Sequence, residues 1–165
     1  MEHVGRSLGI ALALLLVQRL FLPFVTLAGF SPDLFIPWLV YTALRRGQLE
    51  ATVVGFGAGL LQDAAVTQFF GLAAFSKTIT AFLAGYFFNE NSADQTLGSY
   101  RFVLIVAVCS LVHNVAYYTI ALQGVEGDLV SSVLRLSAGT MFYTAVVSLL
   151  PMFSFSRRYN TRWAQ

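Results

Sequence analysis

The chain has 165 residues, of which 57% are hydrophobic and only 11% are charged, against about 25% charged in an ordinary soluble domain. This composition predicts an integral membrane protein and excludes a sizeable soluble region, so we expect a single membrane domain over residues 1–165. The net charge of +2 gives nucleic-acid binding no support.

The first apolar run extends from Leu8 to about Ala28 and is predicted to be a retained membrane span. It is longer than the hydrophobic region of a typical signal peptide and other apolar runs follow it, although the sequence also permits a cleavage site. Gly5, Gly9 and Ala13 recur at four-residue spacing. We expect this stripe of small residues to contact protein.

The second helix is predicted to begin at a turn, with Ser31 as N-cap, Pro32 at the first helical position and Asp33 in the first turn. The apolar run that follows, Leu34–Leu44, would cover only about 17 Å as a helix. We therefore expect a short second span.

The third run, Ala51–Asp63, is also short, and two interpretations of the second and third runs stay open. We favour two short full spans, because they deliver Arg45 and Arg46 to water. A re-entrant hairpin would leave both arginines near membrane depth, at a cost of about 2.5 to 3.5 kcal/mol each.

The third and fourth runs form a hairpin, Val54–Gly85, on which we expect the other helices to pack. Gly55 and Gly59 form a GxxxG pair within it. Such pairs let another helix backbone approach closely inside a bilayer, so these two glycines are predicted to mark a contact face.

Asp63 lies at the polar elbow of this hairpin and has two candidate roles. Its carboxylate can accept hydrogen bonds from the backbone amides that open the fourth helix around Phe69–Gly71, or it can pair with Lys77 or Arg19. We favour the first role, because Lys77 lies about 9 to 12 Å further along the fourth helix.

The remaining spans are predicted at Phe69–Phe88, at Phe102–Leu122 and from Leu129 to about Phe155. Asn89–Tyr100 is rich in turn-forming residues and is predicted to be a loop, and Gly124–Asp128 is predicted to be a tight polar link. The expected fold is an all-α polytopic membrane protein with six transmembrane helices, of which the second and third are short.

Six spans place both termini on one side of the membrane. The arginines that lie outside the spans all fall on that side: Arg6, Arg45, Arg46, Arg101, Arg157, Arg158 and Arg162. The connections on the other side contain acidic residues but no lysine or arginine. By the positive-inside rule, both termini are predicted to be cytoplasmic.

Several ionisable residues are predicted in the outer half or the middle of the membrane and can form one polar cluster: Arg19, Asp33, Asp63, Lys77, His113 and Arg135. Such groups are costly and indicate function by default, for example a proton path, a ligand site or a partner contact. We favour structural ion pairs and caps. Asp33 and Asp63 are predicted near the interface, and the two arginines can extend towards the headgroups, which leaves only Lys77 and His113 clearly deep.

The sequence does not assemble a catalytic, metal or cofactor site. His113 has no Cys or Glu at metal-ligand spacing on its helix. Ser76 adjoins Lys77 without the spacing of a serine–lysine catalytic pair. We therefore expect a protein that is not an enzyme and has no cofactor.

Four short motifs carry a family resemblance: Pro32-Asp33-Leu34, Leu44-Arg45-Arg46-Gly47, Gly55-Phe56-x-x-Gly59-Leu60-Leu61-Gln62-Asp63, and Gly71-Leu72 before a long apolar helix. Together they resemble the rod shape-determining protein MreD family over roughly residues 30–88. On this resemblance, the candidate residues for helix packing or partner binding are Pro32, Gly55, Gly59 and Gly71.

The resemblance implies a non-enzymatic subunit of the bacterial cell-elongation complex in the inner membrane. Proteins of this family bind MreC, a single-span protein with a periplasmic domain. Through MreC they associate with the transpeptidase and glycosyltransferase that build lateral peptidoglycan, under the MreB filament. Membrane lipid is a further expected partner.

The family's fold is similar to the substrate-binding subunits of energy-coupling-factor vitamin transporters, which supplies an alternative function. In that alternative the chain would be the substrate-binding membrane subunit of a small-molecule transporter. The Asp63 hairpin motif and the short outer connections, which lack convergent polar residues, favour the scaffold.

Overall fold

The computed structural model describes residues 2–26, 30–65, 69–124 and 127–162. The helices within these ranges are α1 (Glu2–Val25), α2 (Phe35–Arg46), α3 (Gln48–Ala64), α4 (Leu72–Gly85), α5 (Ala93–Leu97), α6 (Tyr100–Ala121), α7 (Leu129–Val147) and α8 (Leu149–Arg162). The fold class is all-α, as the sequence predicts.

Helix α2 is enclosed by its neighbours, because it contacts α3, α4, α5 and α6. Its side chains Ile36, Leu39 and Val40 are fully buried, in one apolar core with Ala81 of α4 and Phe102 of α6. Helix α1 packs on α3 and on the start of α2 through a smaller apolar cluster. The short second helix is therefore the centre of the core.

Helices α3 and α4 approach each other closely along their length. A Cβ atom added at Gly55 would lie 2.8 Å from the Ala81 Cβ, and one added at Gly59 would lie 2.2 Å from the Ala74 Cα. Neither position has room for a larger side chain. The helix that the Gly55–Gly59 pair faces is therefore α4 of the same chain.

The start of α2 differs from the prediction. The helix begins at Phe35, its N-cap position is Leu34, and no side chain caps it from that position, so the prediction of Ser31 as N-cap is wrong. The backbone amide of Phe35 instead donates to Asp33 Oδ1 at 2.9 Å. Residues 30–34 precede the helix as non-helical backbone.

The region between α4 and α6 is not wholly a loop, because it contains α5. The side chains of Ala93 and Leu97 are buried, and α5 packs against α8. The predicted sixth span comprises α7 and α8, with Ser148 between them. Pro151 explains this break, because proline lacks the N–H that would bond the Val147 carbonyl.

Two helical stretches in the described ranges are long and apolar enough to cross a bilayer, namely Tyr100–Ala121 with 22 residues and Leu129–Ser156 with 28. Ser7–Leu20 and Leu72–Gly85 are shorter apolar helices. Helices α2 and α3 have 12 and 17 residues. The total of six spans stays a prediction.

Candidate functional site

Asp33, Lys77 and His113 meet in the protein interior, although they come from the segment before α2, from α4 and from α6. Lys77 Nζ donates to Asp33 Oδ2 at 2.7 Å, and His113 Nε2 lies 3.4 Å from the same oxygen. Lys77 is 0% exposed, His113 4% and Asp33 8%. We call these three residues the ion network.

The ion network also holds the start of α2 in place. The backbone amide of Asp33 donates to Thr144 Oγ1 of α7 at 3.1 Å, and Asp33 Oδ1 accepts from the Phe35 amide. Lys77 Nζ lies 5.2 Å from the centre of the Phe35 ring, within the range of a cation–π contact. Asp33 thus connects α2 to α4, α6 and α7.

The ion network lies well within the length of α6 rather than beside one of its ends. His113 lies about 20 Å from the start of α6 and about 12 Å from its end, at 1.5 Å per residue. Buried non-helical backbone at this position needs hydrogen-bond partners from the surrounding helices. The Thr144 hydroxyl supplies a partner for the Asp33 amide, and the Phe30 ring covers Gly139, where a Cβ would lie 2.3 Å from the ring.

Asp63 forms a separate site at the start of α4. Its Oδ2 accepts from the amides of Gly71 at 3.0 Å and Ala74 at 2.9 Å, and its Oδ1 accepts from Ala73 at 3.0 Å. Gly71 has a φ of +96°, which favours glycine. The carboxylate occupies the positive end of the α4 dipole, so the favoured capping geometry is the one observed.

The remaining candidate residues lie outside the ion network. Arg19 Nη2 donates to the Ala65 carbonyl at 2.5 Å, near the end of α3. Arg135 is exposed on α7, and Pro32 is buried beside Asp33. The predicted single cluster therefore divides into the ion network, the region around Asp63 and Arg19, and the separate Arg135.

A buried polar stripe on α7 was missed by the sequence analysis. Its members recur every three or four residues along α7 and at the residue that follows it: Ser137, Thr140, Thr144 and Ser148. That spacing on a membrane helix indicates a face that packs against other helices. The stripe contributes Thr144 to the site. No group of three His, Cys, Asp or Glu side chains able to hold a metal ion occurs among the residues that the structure describes.

Among the residues that the structure describes, two lateral grooves lie beside α2. The first, of about 240 Å³, lies between α1 and α3 and contains four small side chains, Ser7, Ala11, Gly57 and Ala58. Nothing lies within 4 Å of a Cβ added at Gly57. We call it the small-residue groove.

The second groove, of about 400 Å³, lies between α1, α2, α6 and the α7–α8 region. Large side chains line it, including Trp38, Tyr41, Phe102 and Phe155. The Tyr41 and Phe155 rings stack with centroids 5.2 Å apart. We call it the aromatic groove. Trp38 lines both grooves and separates them.

Long apolar helices around an enclosed ion network define the chain as a helical membrane protein. Within that class, it belongs to the family described as rod shape-determining protein MreD, whose model matches residues 4–159. The match extends well beyond the motifs between residues 30 and 88. No curated protein and no solved structure matches the chain significantly. Family membership makes the chain a rod-shape-determining membrane protein.

Proposed function

We propose that the chain is a non-enzymatic inner-membrane subunit of the bacterial cell-elongation complex that binds an MreC-like single-span protein. The observation that carries the proposal is the family match over residues 4–159. Six spans with cytoplasmic termini belong to the same proposal, supported by the one-sided distribution of arginines.

The small-residue groove is the docking surface that we propose for the partner's membrane helix. Gly55 and Gly59 are already covered by α4, so a partner needs other small residues. Gly57 and Ala11 line the open groove, and close backbone approach at small residues drives helix association in lipid.

The walls of this groove are connected at the end that contains Arg46. Arg46 Nη1 lies 2.5 Å from Glu50 Oε1 and donates to Ser7 Oγ at 3.3 Å. These contacts connect the end of α2 to both walls, α1 and α3. A preformed groove lowers the ordering cost of binding a helix.

The test is co-purification of the MreC-like partner with Gly57→Leu. The added side chain should hold the partner helix away and reduce partner recovery several-fold, at unchanged folded yield. Ala138→Leu is the matched control, because Ala138 is an exposed small residue on α7 away from the groove. Equal partner recovery with both variants would remove the groove as the docking surface.

The transporter alternative would need convergent polar side chains in an open pocket. Both described grooves are lined chiefly by apolar side chains. The scaffold is therefore the function that the site supports best.

A further inference from the structure

The aromatic groove differs from a helix-docking surface in its lining. Its walls contain no glycine or alanine, and its bulky side chains would keep another helix backbone at a distance. Its volume of about 400 Å³ lies in the range of sites for small molecules, about 300 to 1,000 Å³. A flexible hydrocarbon chain fits such a lining better than a helix does.

One end of the aromatic groove is positively charged. The Arg45 guanidinium lies 6.0 Å from the centre of the Tyr41 ring, and the exposed Arg101 directly precedes Phe102. Arg45 and Arg101 therefore adjoin two of the aromatic residues that line this end, Tyr41 and Phe102.

Asp94 forms an ion pair with Arg45, so it offsets part of this charge. The exposed Arg101 adds further positive charge beside this hydrocarbon groove. That combination matches one class of membrane molecule, because an anionic lipid offers an acyl chain and a negative headgroup. Basic residues at the cytoplasmic surface attract such lipids.

We propose that the aromatic groove binds an anionic phospholipid. Its acyl chain lies between α1, α2 and α8, and its phosphate meets Arg45 and Arg101. Pro37 and Pro151, in the first turns of α2 and α8, contribute walls without a backbone N–H. This lipid site is independent of the partner site in the small-residue groove.

Native mass spectrometry of the purified chain tests the acyl part of the site. The delipidated protein is mixed with dioleoyl phosphatidylglycerol or dioleoyl phosphatidylcholine, and the lipid retained per chain is counted. We expect preferential retention of phosphatidylglycerol. Leu150→Trp should reduce it several-fold, because Leu150 lines the groove and is 71% exposed at its mouth.

The matched control is Leu134→Trp, since Leu134 is 57% exposed on α7 and does not line the groove. It should retain phosphatidylglycerol as the unmodified chain does. Equal effects of the two tryptophans, at equal folded yield, would overturn the proposal. So would equal retention of the two lipids by the unmodified chain.

The charge is tested with Arg101→Gln. This change should lower the preference for phosphatidylglycerol over phosphatidylcholine several-fold, whereas Arg135→Gln, at an exposed arginine of α7, should leave it unchanged.

If Leu150→Trp reduces recovery of the MreC-like partner but not lipid retention, the groove binds a helix and the lipid proposal is wrong. Loss of lipid with full partner recovery would support it.

Discussion

Asp33 and Asp63 are two buried carboxylates beside the starts of helices, yet different groups compensate their charges. Asp63 accepts hydrogen bonds from three backbone amides, which belong to residues 8 to 11 positions further along the chain. Asp33 accepts hydrogen bonds from the ammonium of a lysine 44 positions away and from one local backbone amide. The first arrangement stabilises one hairpin, and the second joins four parts of the fold.

This difference predicts which substitutions each site tolerates. A carboxylate compensated by one cation is left as an uncompensated charge when that cation is removed. A carboxylate bound to amides can be replaced in part by a neutral acceptor. Substitutions at Lys77, Asp63 and His113 separate the two arrangements, and we expect their effects on stability to decrease in that order.

Lys77→Met should have the largest effect. It leaves the Asp33 carboxylate buried without its cation, and breaking a buried ion pair from one side costs about 3–5 kcal/mol. Denaturant unfolding in detergent measures the change in the free energy of unfolding.

The double variant Asp33→Asn with Lys77→Met should recover much of this loss, because the asparagine is neutral and can still accept from the Phe35 amide. Arg135→Met is the control at an exposed basic residue. A double variant as unstable as Lys77→Met alone would show that charge compensation is not the role of this pair.

Asp63→Asn should have an intermediate effect. Both carboxylate oxygens accept hydrogen bonds from backbone amides. The asparagine amide group therefore faces at least one backbone N–H, and an unsatisfied buried donor costs about 1–3 kcal/mol. In the same measurement, Asp63→Leu should have a lower free energy of unfolding than Asp63→Asn, because leucine removes every acceptor. Equal stability of Asp63→Asn and the unmodified chain would contradict the observed geometry.

Local patterns explain what the sequence could predict. The Asp63 elbow, the glycine pair and the apolar run of α6 depend on residues close together in the chain. Helix α6, Tyr100–Ala121, lies within two residues of the predicted fifth span, Phe102–Leu122. The family also follows from local motifs, and the family match extends it to residues 4–159.

Contacts between distant helices explain the rest. The Asp33–Lys77 pair forms because the segment before α2 extends into the space between α4 and α7. No local sequence pattern indicates how far that segment extends. Helix α5 has five residues, so its formation depends on burying Leu97 rather than on a periodic pattern. Ser31, Pro32 and Asp33 have the residue types of a helix start, so the sequence predicts a start of α2 that is too early.

His113→Gln should have the smallest effect of the three. His113 Nε2 lies 3.4 Å from Asp33 Oδ2, whereas Lys77 Nζ lies 2.7 Å from the same atom and already compensates the carboxylate. Glutamine keeps a polar group near the site, so we expect a loss of about 1 kcal/mol or less. The sharper measurement adds His113→Gln to Lys77→Met. If His113 serves as a second partner of Asp33, its loss should cost more in the Lys77→Met background than in the unmodified chain. An equal loss in both backgrounds would mean that His113 only fills space, and the ion network would then consist of the Asp33–Lys77 pair alone.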